Sequence, residues 1–559
     1  MTMKKAVIFD LYGVIFRRPQ GGITKYIQEL KLPEFFLENA FAHAEQPGDA
    51  FFQLEKGDIS VTQFLDRFEK QCFSYANSNE IKLPSAFSAQ NLYFNFSQTI
   101  PDEEMLNAVA ILKNKGLKIC LLTNNFLDDT SYRGTLAVKF LPLRFLFDNI
   151  VESCHFGVRK PDPKIFFEAC RKLDVIPEQT VFLDDLSENV KSARKLGMST
   201  ILVKNSKQAL SELKKITGID VLQRAVPVSC QPGQISECSI ITKDGVKLHY
   251  FEVGHGPPVI LLHGYPFGWY CWRRQIPALA MNGYRVIAIE MKGYGESSCP
   301  PEKSEYSLEK LTRDVISFLD SLGISQATFI GHGWGGHVAW SLALHYPERT
   351  FAVGSFNTPA SPSDGSSNPF GHWRTNSGNL DHVMYFQEYE EKREAELEQD
   401  LKRFLHVVTR AYHWENKSSV NIKTSVRNGG LLEEAAKIDS PMDTLFDDEE
   451  LNYLIQRIRK SGLRGMLNYF KNHEDNKKWH LKVIGRKIQC PALMLTASQD
   501  QFCPPGCSNH MELWISKLSR ASLDCGHWPM LEKPAESNKL LIDWLNNVHA
   551  KASPLTSLL

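Results

Sequence analysis

The chain has 559 residues, 43% of them hydrophobic, with 64 Lys+Arg against 64 Asp+Glu; this length predicts roughly two to four domains, and the balanced charge argues against nucleic acid or a membrane surface as partner. No apolar run approaches the ~18–20 residues of a membrane span, and the opening MTMKKAVIFD lacks an apolar stretch of secretory length, so a soluble protein without a membrane span is expected. The 12 cysteines form no CxxC pair and no Cys/His ligand spacing, which argues against a zinc site or disulfide framework and suits reduced thiols in a cytoplasmic setting.

The first apolar run, Ala6-Val7-Ile8-Phe9, ends at Asp10 and turns through Gly13. It predicts a buried parallel strand that delivers a carboxylate at its carboxyl end. Residues 102–112 carry Met105, Ala108, Val109 and Leu112 at helical spacing, with Gly116 as a stop signal. Residues 117–122 form a second strand leading into Thr123-Asn124, and residues 181–183 a third leading into Asp184-Asp185. Strand, helix, strand in alternation predicts a doubly wound α/β domain with ligands at the carboxyl ends of its strands.

The stretch 225–239, AVPVSCQPGQISECS, has no periodicity and reads as a linker between a domain at 1–224 and another at 240–555. Beyond it, residues 259–262, 285–289, 327–330, 351–356 and 492–495 are apolar strands of a second α/β sheet. Between the last two lies a charged and aromatic stretch, about 361–478, expected as a helical cap over the strand ends; its charge run reads as a solvated helix face.

In the first domain Asp10, Thr123, Asn124, Lys160 and the pair Asp184/Asp185 come from separate strand ends and loops. A carboxylate nucleophile at Asp10 needs a cation to orient it, which Lys160 supplies, and donors for a transferring group, which Thr123 and Asn124 supply; Asp185 beside Asp10 suits Mg²⁺. This set resembles the haloacid dehalogenase superfamily of phosphatases, over about residues 4–223. The resemblance implies Asp10 as nucleophile and Mg²⁺ held by Asp10, Asp185 and the backbone carbonyl at position 12. It also implies a second aspartate at position 12 as general acid, where this chain has Tyr12. The run Phe9-Asp10-Leu11-Tyr12-Gly13 resembles the true haloacid dehalogenases as well, so dehalogenase-like chemistry at Asp10 stays open.

In the second domain, Leu262-His263-Gly264-Tyr265-Pro266 ends one strand and Gly331-His332-Gly333-Trp334-Gly335-Gly336 ends another before a helix, the setting of a nucleophile elbow. Asp500 follows a later strand and His527 lies in Asp524-Cys525-Gly526-His527-Trp528, giving the chain order of that fold's triad. Gly331, Gly333 and Gly336 also spell G-x-G-x-x-G, but the acid expected at the end of the next strand is replaced by Ser355-Phe356-Asn357, so no nicotinamide cofactor is expected.

With Trp269-Tyr270-Cys271-Trp272-Arg273 and Lys292-Gly293-Tyr294-Gly295-Glu296, these motifs resemble the epoxide hydrolase branch of the α/β-hydrolases. The order of the two domains resembles the bifunctional soluble epoxide hydrolases of vertebrates. That resemblance implies hydrolysis of lipid epoxides to diols by an elbow aspartate, two cap tyrosines and an Asp-supported His, a Mg²⁺-dependent lipid-phosphate phosphatase at the other end, and a homodimer. Carried over, the elbow is Gly333, the cap tyrosines fall at His382 and Phe470, Asp500 and His527 remain, and Tyr265 and Trp334 occupy the oxyanion-hole and substrate-binding positions. The substitutions at Tyr12, Gly333, His382 and Phe470 leave two readings: a lipid-binding or structural pseudoenzyme, or an active hydrolase in which the His527/Asp500 pair activates water directly.

Overall fold

The computed structural model describes residues 3–18, 20–42, 49–96, 99, 101–131, 141–222, 228–360, 390–412, 445–500, 502–509 and 511–552. The chain divides into two compact units, Met1–Val228 and Ser229–Leu559.

In the first unit β1 (Ala6–Phe9), β2 (Lys118–Thr123), β3 (Asn149–Glu152), β4 (Thr180–Asp184) and β5 (Ser199–Leu202) form a parallel sheet in the order β3-β2-β1-β4-β5. The central strands are apolar along their length and buried on both faces. The helix Glu103–Asn114 is capped by Asp102, whose side chain accepts from the Met105 amide, and Ser206–Thr217 is capped by Asn205 in the same way. The chain steps outward from β1 through β2 to β3 and then crosses back to β4 on the other side of β1, so the strand order reverses between β1 and β4 and a crevice opens at their carboxyl ends.

Between β1 and β2 the chain inserts five helices that strand patterning did not reveal: Gln20–Glu29, Phe36–Ala42, Asp49–Lys56, Val61–Ser78 and Ala89–Phe96. They have a core of their own, built on Phe36, Leu54, Leu65, Phe68 and Phe87. The ring of Phe96 packs 5.3 Å from that of Tyr12, which joins this module to the loop after β1.

The second unit holds β6 (Ser236–Ile241), β7 (Lys247–Val253), β8 (Pro258–Leu262), β9 (Arg285–Glu290), β10 (Ala327–His332), β11 (Thr350–Phe356), β12 (Ala492–Ala497) and β13 (Leu518–Leu523). They form one sheet in the order β13-β12-β11-β10-β8-β9-β7-β6, parallel except where β7 runs against β9 and β6 against β7. Residues 236–239, read from sequence as the end of the linker, are strand β6, paired with β7 from Ser236↔Glu252 onward. β6 and β13 are edge strands with partly exposed faces, so neither shows the apolar run that marks the inner strands.

β10 passes through Gly333 into the helix Trp334–His345, with Gly333 at φ 55, ψ −126. The helix lies against the sheet with almost no clearance: a Cβ at Gly331 would overlap the Gly335 carbonyl, and one at Gly335 would overlap the Leu262 carbonyl. At Gly333, apart from its chain neighbours, the described residue nearest to a Cβ would be Gly264, whose Cα lies at 3.3 Å. Packing therefore demands glycine at 331 and 335, whereas at 333 the contact is tight without overlap and the positive φ also favours glycine.

Of the expected cap, the described residues form the helices Glu390–Gln399, Leu401–Tyr412, Asp448–Ser461, Arg464–Asn468 and His473–Leu481, the last running past the predicted end at 478. His382 lies outside the described residues. The later cap helices are tied to the sheet side by Arg273, wholly buried, whose guanidinium meets Glu450 at 2.6 and 3.0 Å and lies over the rings of Tyr270 and Phe446.

Burial holds five histidines of this unit neutral: His332, His337 and His345 are lowered to about 3, and His263 and His480 to about 4. Each folded value lies below the free value of 6.5, so unfolding takes up protons, and the stability each contributes is complete above pH 6.5 and lost as the pH falls. Glu532 and Asp314, raised by burial to about 7 and about 6, act in the opposite sense but are fewer. All 10 tryptophans lie beyond residue 228, so their fluorescence reports this unit alone. The tryptophan-monitored urea midpoint should drop steadily from pH 7 to pH 4.5; a flat profile would refute the neutral-histidine assignment. At pH 7.5 the same measurement should register about 3 kcal/mol lost in Gly335→Ala and about 1–2 kcal/mol in Gly333→Ala; equal losses would mean that helix–sheet clearance is not the constraint.

Candidate active sites

At the first site Asp10 leaves the end of β1 with its amide bonded to the Leu183 carbonyl at 2.9 Å. Lys160, 1% exposed, donates to Asp10 at 2.5 Å and to Asp184 at 2.7 Å. Asp184 also accepts from the Leu186 amide at 2.8 Å and, on both oxygens, from Asn189 at 3.1 Å. Its oxygens are thus committed to holding Lys160, which makes Asp184 a positioning group that the sequence reading left without a role. Burial works against the Lys160 ammonium, but Asp10 and Asp184 outweigh it and raise the lysine. Burial also raises Asp10, with Lys160 opposing and Asp184 reinforcing the shift.

Asn124 receives the Lys160 amide at 2.8 Å and donates to the Lys160 carbonyl at 3.1 Å. The sequence reading assigned its amide to the transferring group; in the structure one of its two N–H groups clamps the lysine's backbone. Thr123, buried at the end of β2, donates its hydroxyl to the Asn124 carbonyl at 3.3 Å. Asp185 pairs with Arg18 at 2.6 Å, a partner that the sequence showed only as the second of two adjacent arginines. Carboxylate oxygens of Asp10, Asp184 and Asp185 lie within 4.8 Å of one another, and an open cleft of about 490 Å³ borders Asp185, Arg17, Arg18 and Lys204. Burial, with the charge of Asp10 adding to it, pushes the Tyr12 phenol far above its usual range, so it is a poor proton donor to an alkoxide.

At the second site the His527 ring meets Asp500 through Nδ1 at 2.8 Å, and Asp500 accepts the Phe502 and Cys503 amides at 2.8 and 3.0 Å. Burial opposes the Asp500 charge, yet His527 and these amides hold its carboxyl below the usual range. The loop that carries His527 is fixed from both sides. Its carbonyl accepts from Asn357 at 3.0 Å and bonds His332 Nε2 at 2.9 Å, while Glu532 takes the Gly526 and Trp528 amides at 2.7 and 3.0 Å. Asn357 sits at φ 63, a strained conformation for a non-glycine residue directly after β11. Sequence reasoning gave no role to His332, Asn357 or Glu532, although His332 stands inside the glycine-rich elbow motif.

The elbow at Gly333 presents no side chain. Around it Phe470 packs edge-on to both Tyr265, at 5.6 Å, and Trp334, at 5.3 Å, forming an aromatic wall. The neighbouring Tyr469 is no replacement for a phenol at 470, because its hydroxyl is buried and donates to the Lys292 carbonyl at 2.6 Å. The structure therefore gathers Gly333, Trp334, Tyr265, Phe470, His527 and Asp500 at the carboxyl ends of β8, β10, β12 and β13.

Residues 257–534 match the family model of the alpha/beta hydrolase fold, and residues 4–197 that of haloacid dehalogenase-like hydrolases. The chain is 43% identical over 546 residues to the bifunctional epoxide hydrolase 2 of Sus scrofa and 41% identical over 547 residues to that of Rattus norvegicus, with 97% of each chain covered in both cases. It is 32% identical to the solved epoxide hydrolase A of Mycobacterium thermoresistibile, with a TM-score of 0.51 over 56% of this chain and 98% of that one. A solved epoxide hydrolase from an endophytic Streptomyces is 29% identical, with a TM-score of 0.52 over 57% and 97%. No helix among the described residues is long and apolar enough to cross a membrane. Matched in both halves, in the same order and over nearly the full length of its relatives, the chain belongs to the bifunctional epoxide hydrolase family.

Proposed function

We propose that the second unit binds an apolar, lipid-like ligand and does not convert epoxides to diols. The observation that carries this reading is Gly333, an elbow with the right backbone and no nucleophile. Losing one member of a catalytic unit costs ~10⁴–10⁶-fold, and a second loss adds little. Phe470 removes one oxirane-holding phenol and His382 stands where the family has the other. What remains, the aromatic wall of Tyr265, Trp334 and Phe470, favours an apolar ligand.

The first unit, in this reading, keeps a phosphatase-type nucleophile without its acid, a loss of ~10²–10⁴-fold. Its donors fit Mg²⁺: three carboxylates converge, Asp184 is occupied by Lys160, and Asp10, Asp185 and the Tyr12 carbonyl are the groups that would hold the ion. When bound, the ion would offset the negative charge of a phosphate. Lys160 orients Asp10, and Asn124 fixes Lys160. A homodimer in the cytoplasm completes the reading, on the strength of family resemblance.

Purified full-length protein should form diol from a trans-epoxide reporter at least ~10⁴-fold more slowly than the Sus scrofa relative; comparable rates would end the proposal. Gly333→Asp combined with His382→Tyr and Phe470→Tyr should restore measurable diol, whereas Gly333→Asp alone should stop at the ester. Tyr12→Asp should raise Mg²⁺-dependent phosphate release by ~10²-fold, and an unchanged rate would show that the missing acid is not what limits the first site.

A further inference from the structure

Beyond Asp185 the first site continues into the cleft of about 490 Å³, and every residue that lines this cleft is among the described ones. Its walls come from residues 13–18 in the loop after β1, from Asp185 after β4, from residues 202–206 at and after the end of β5, and from Asp102. The cleft therefore runs along the carboxyl ends of β1, β4 and β5, the edge at which such sheets take up ligands. Carboxylate oxygens of Asp185 and Asp10 lie within 4.8 Å of each other, so a group joined to a phosphate at Asp10 needs only a short chain to reach it. A Cβ at Gly13 would overlap the Asp185 carboxylate, so the loop passes backbone-close to Asp185 on its way from Asp10 to Arg17.

The charged side chains on these walls are Arg17, Arg18, Lys204, Asp102 and Asp185. Both aspartates are occupied. Asp102 accepts the Met105 amide at 3.1 Å and the Ser206 hydroxyl at 2.6 Å, and Asp185 takes the Arg18 guanidinium at 2.6 Å. Arg17 and Lys204 are exposed, and among the described residues neither makes a side-chain hydrogen bond or ion pair. The backbone beneath them is fixed, because the Thr99 hydroxyl donates to the Arg17 carbonyl at 2.5 Å and the Lys204 amide donates to the Gln208 side chain at 3.1 Å. Two cations from opposite walls thus face a concave space without an anion of their own, and concavity strengthens their field.

We infer that the first site acts on small phosphate monoesters that carry a second anionic group, which Arg17 and Lys204 receive; this rests on the phosphatase reading of Asp10 above. The phosphate to be released lies at Asp10, and the second anion, a few bonds away, enters the cleft between the loops after β1 and β5. Arg17 and Lys204 touch no reacting atom and act on specificity. An apolar tail gains nothing from this wall.

The test uses full-length protein in excess Mg²⁺ with two matched pairs of probes. Trimethylene bisphosphonate is compared with propylphosphonate for binding by calorimetry, and trimethylene bisphosphate with propyl phosphate for phosphate release. The bisphosphonate should bind ~10-fold more tightly than the monophosphonate, and the bisphosphate should have a ~10-fold higher kcat/KM, chiefly through KM. Arg17→Gln with Lys204→Gln should bring both ratios to within about twofold of unity. The same variant should keep the parent's affinity for propylphosphonate, which also shows that it is folded. Arg17→Lys with Lys204→Arg should retain the parent's ratios. Equal treatment of mono- and bis-anions by the parent, or a preference that survives in the double Gln variant, would overturn the inference and leave the phosphatase reading standing. Equimolar sulfate that gives propylphosphonate the same gain would overturn it too, since the cleft would then hold a separate, adventitious ion only. Phosphate release from neither ester would instead overturn the phosphatase reading, and the inference with it.

Discussion

The helix Trp334–His345 approaches β8 and β10 so closely that backbone meets backbone through Gly331 and Gly335. The turn between them passes through Gly333 at φ 55, a conformation that side chains rarely adopt. The shape of the elbow thus goes with the close packing of helix on sheet. Glycine at this turn avoids a strain of about 1–2 kcal/mol that a side chain would carry.

The charged groups behave differently. Lys160 lies between Asp10 and Asp184, and Asp500 lies beneath His527, each in surroundings where an unpaired charge is expensive. Breaking a buried pair by removing one partner costs about 3–5 kcal/mol, a large fraction of a domain's stability. These residues are therefore held in place by folding as well as by chemistry. Their presence does not by itself report turnover; Gly333, Phe470 and Tyr12 are the informative positions, because there the chain departs from what the family resemblance implies.

Much of this was legible in the sequence because parallel strands advertise themselves as apolar runs that stop at a polar residue. Asp10, Thr123, Asp184 and Gly333 all sit where such runs stop. The edge strands β6 and β13 were not legible, since a half-exposed strand has no continuous apolar signal. The five-helix insertion of the first unit went unread for a related reason: its phenylalanines pack against one another and not on a sheet, so nothing tied them to a strand end. Partners such as Arg18 to Asp185, Asn124 to Lys160 and Glu532 to the His527 loop depend on side-chain direction, which spacing along the chain does not encode.

Arg273 bears on how the second pocket meets a ligand. Its buried bonds to Glu450 secure the segment leading to Phe470, and Tyr469 adds a further tie to Lys292. Among the described residues, the wall that carries Phe470 is thus anchored to the sheet side at two points. Guests of unsuitable thickness would be turned away by outline alone, and little shape change need accompany the arrival of a suitable one.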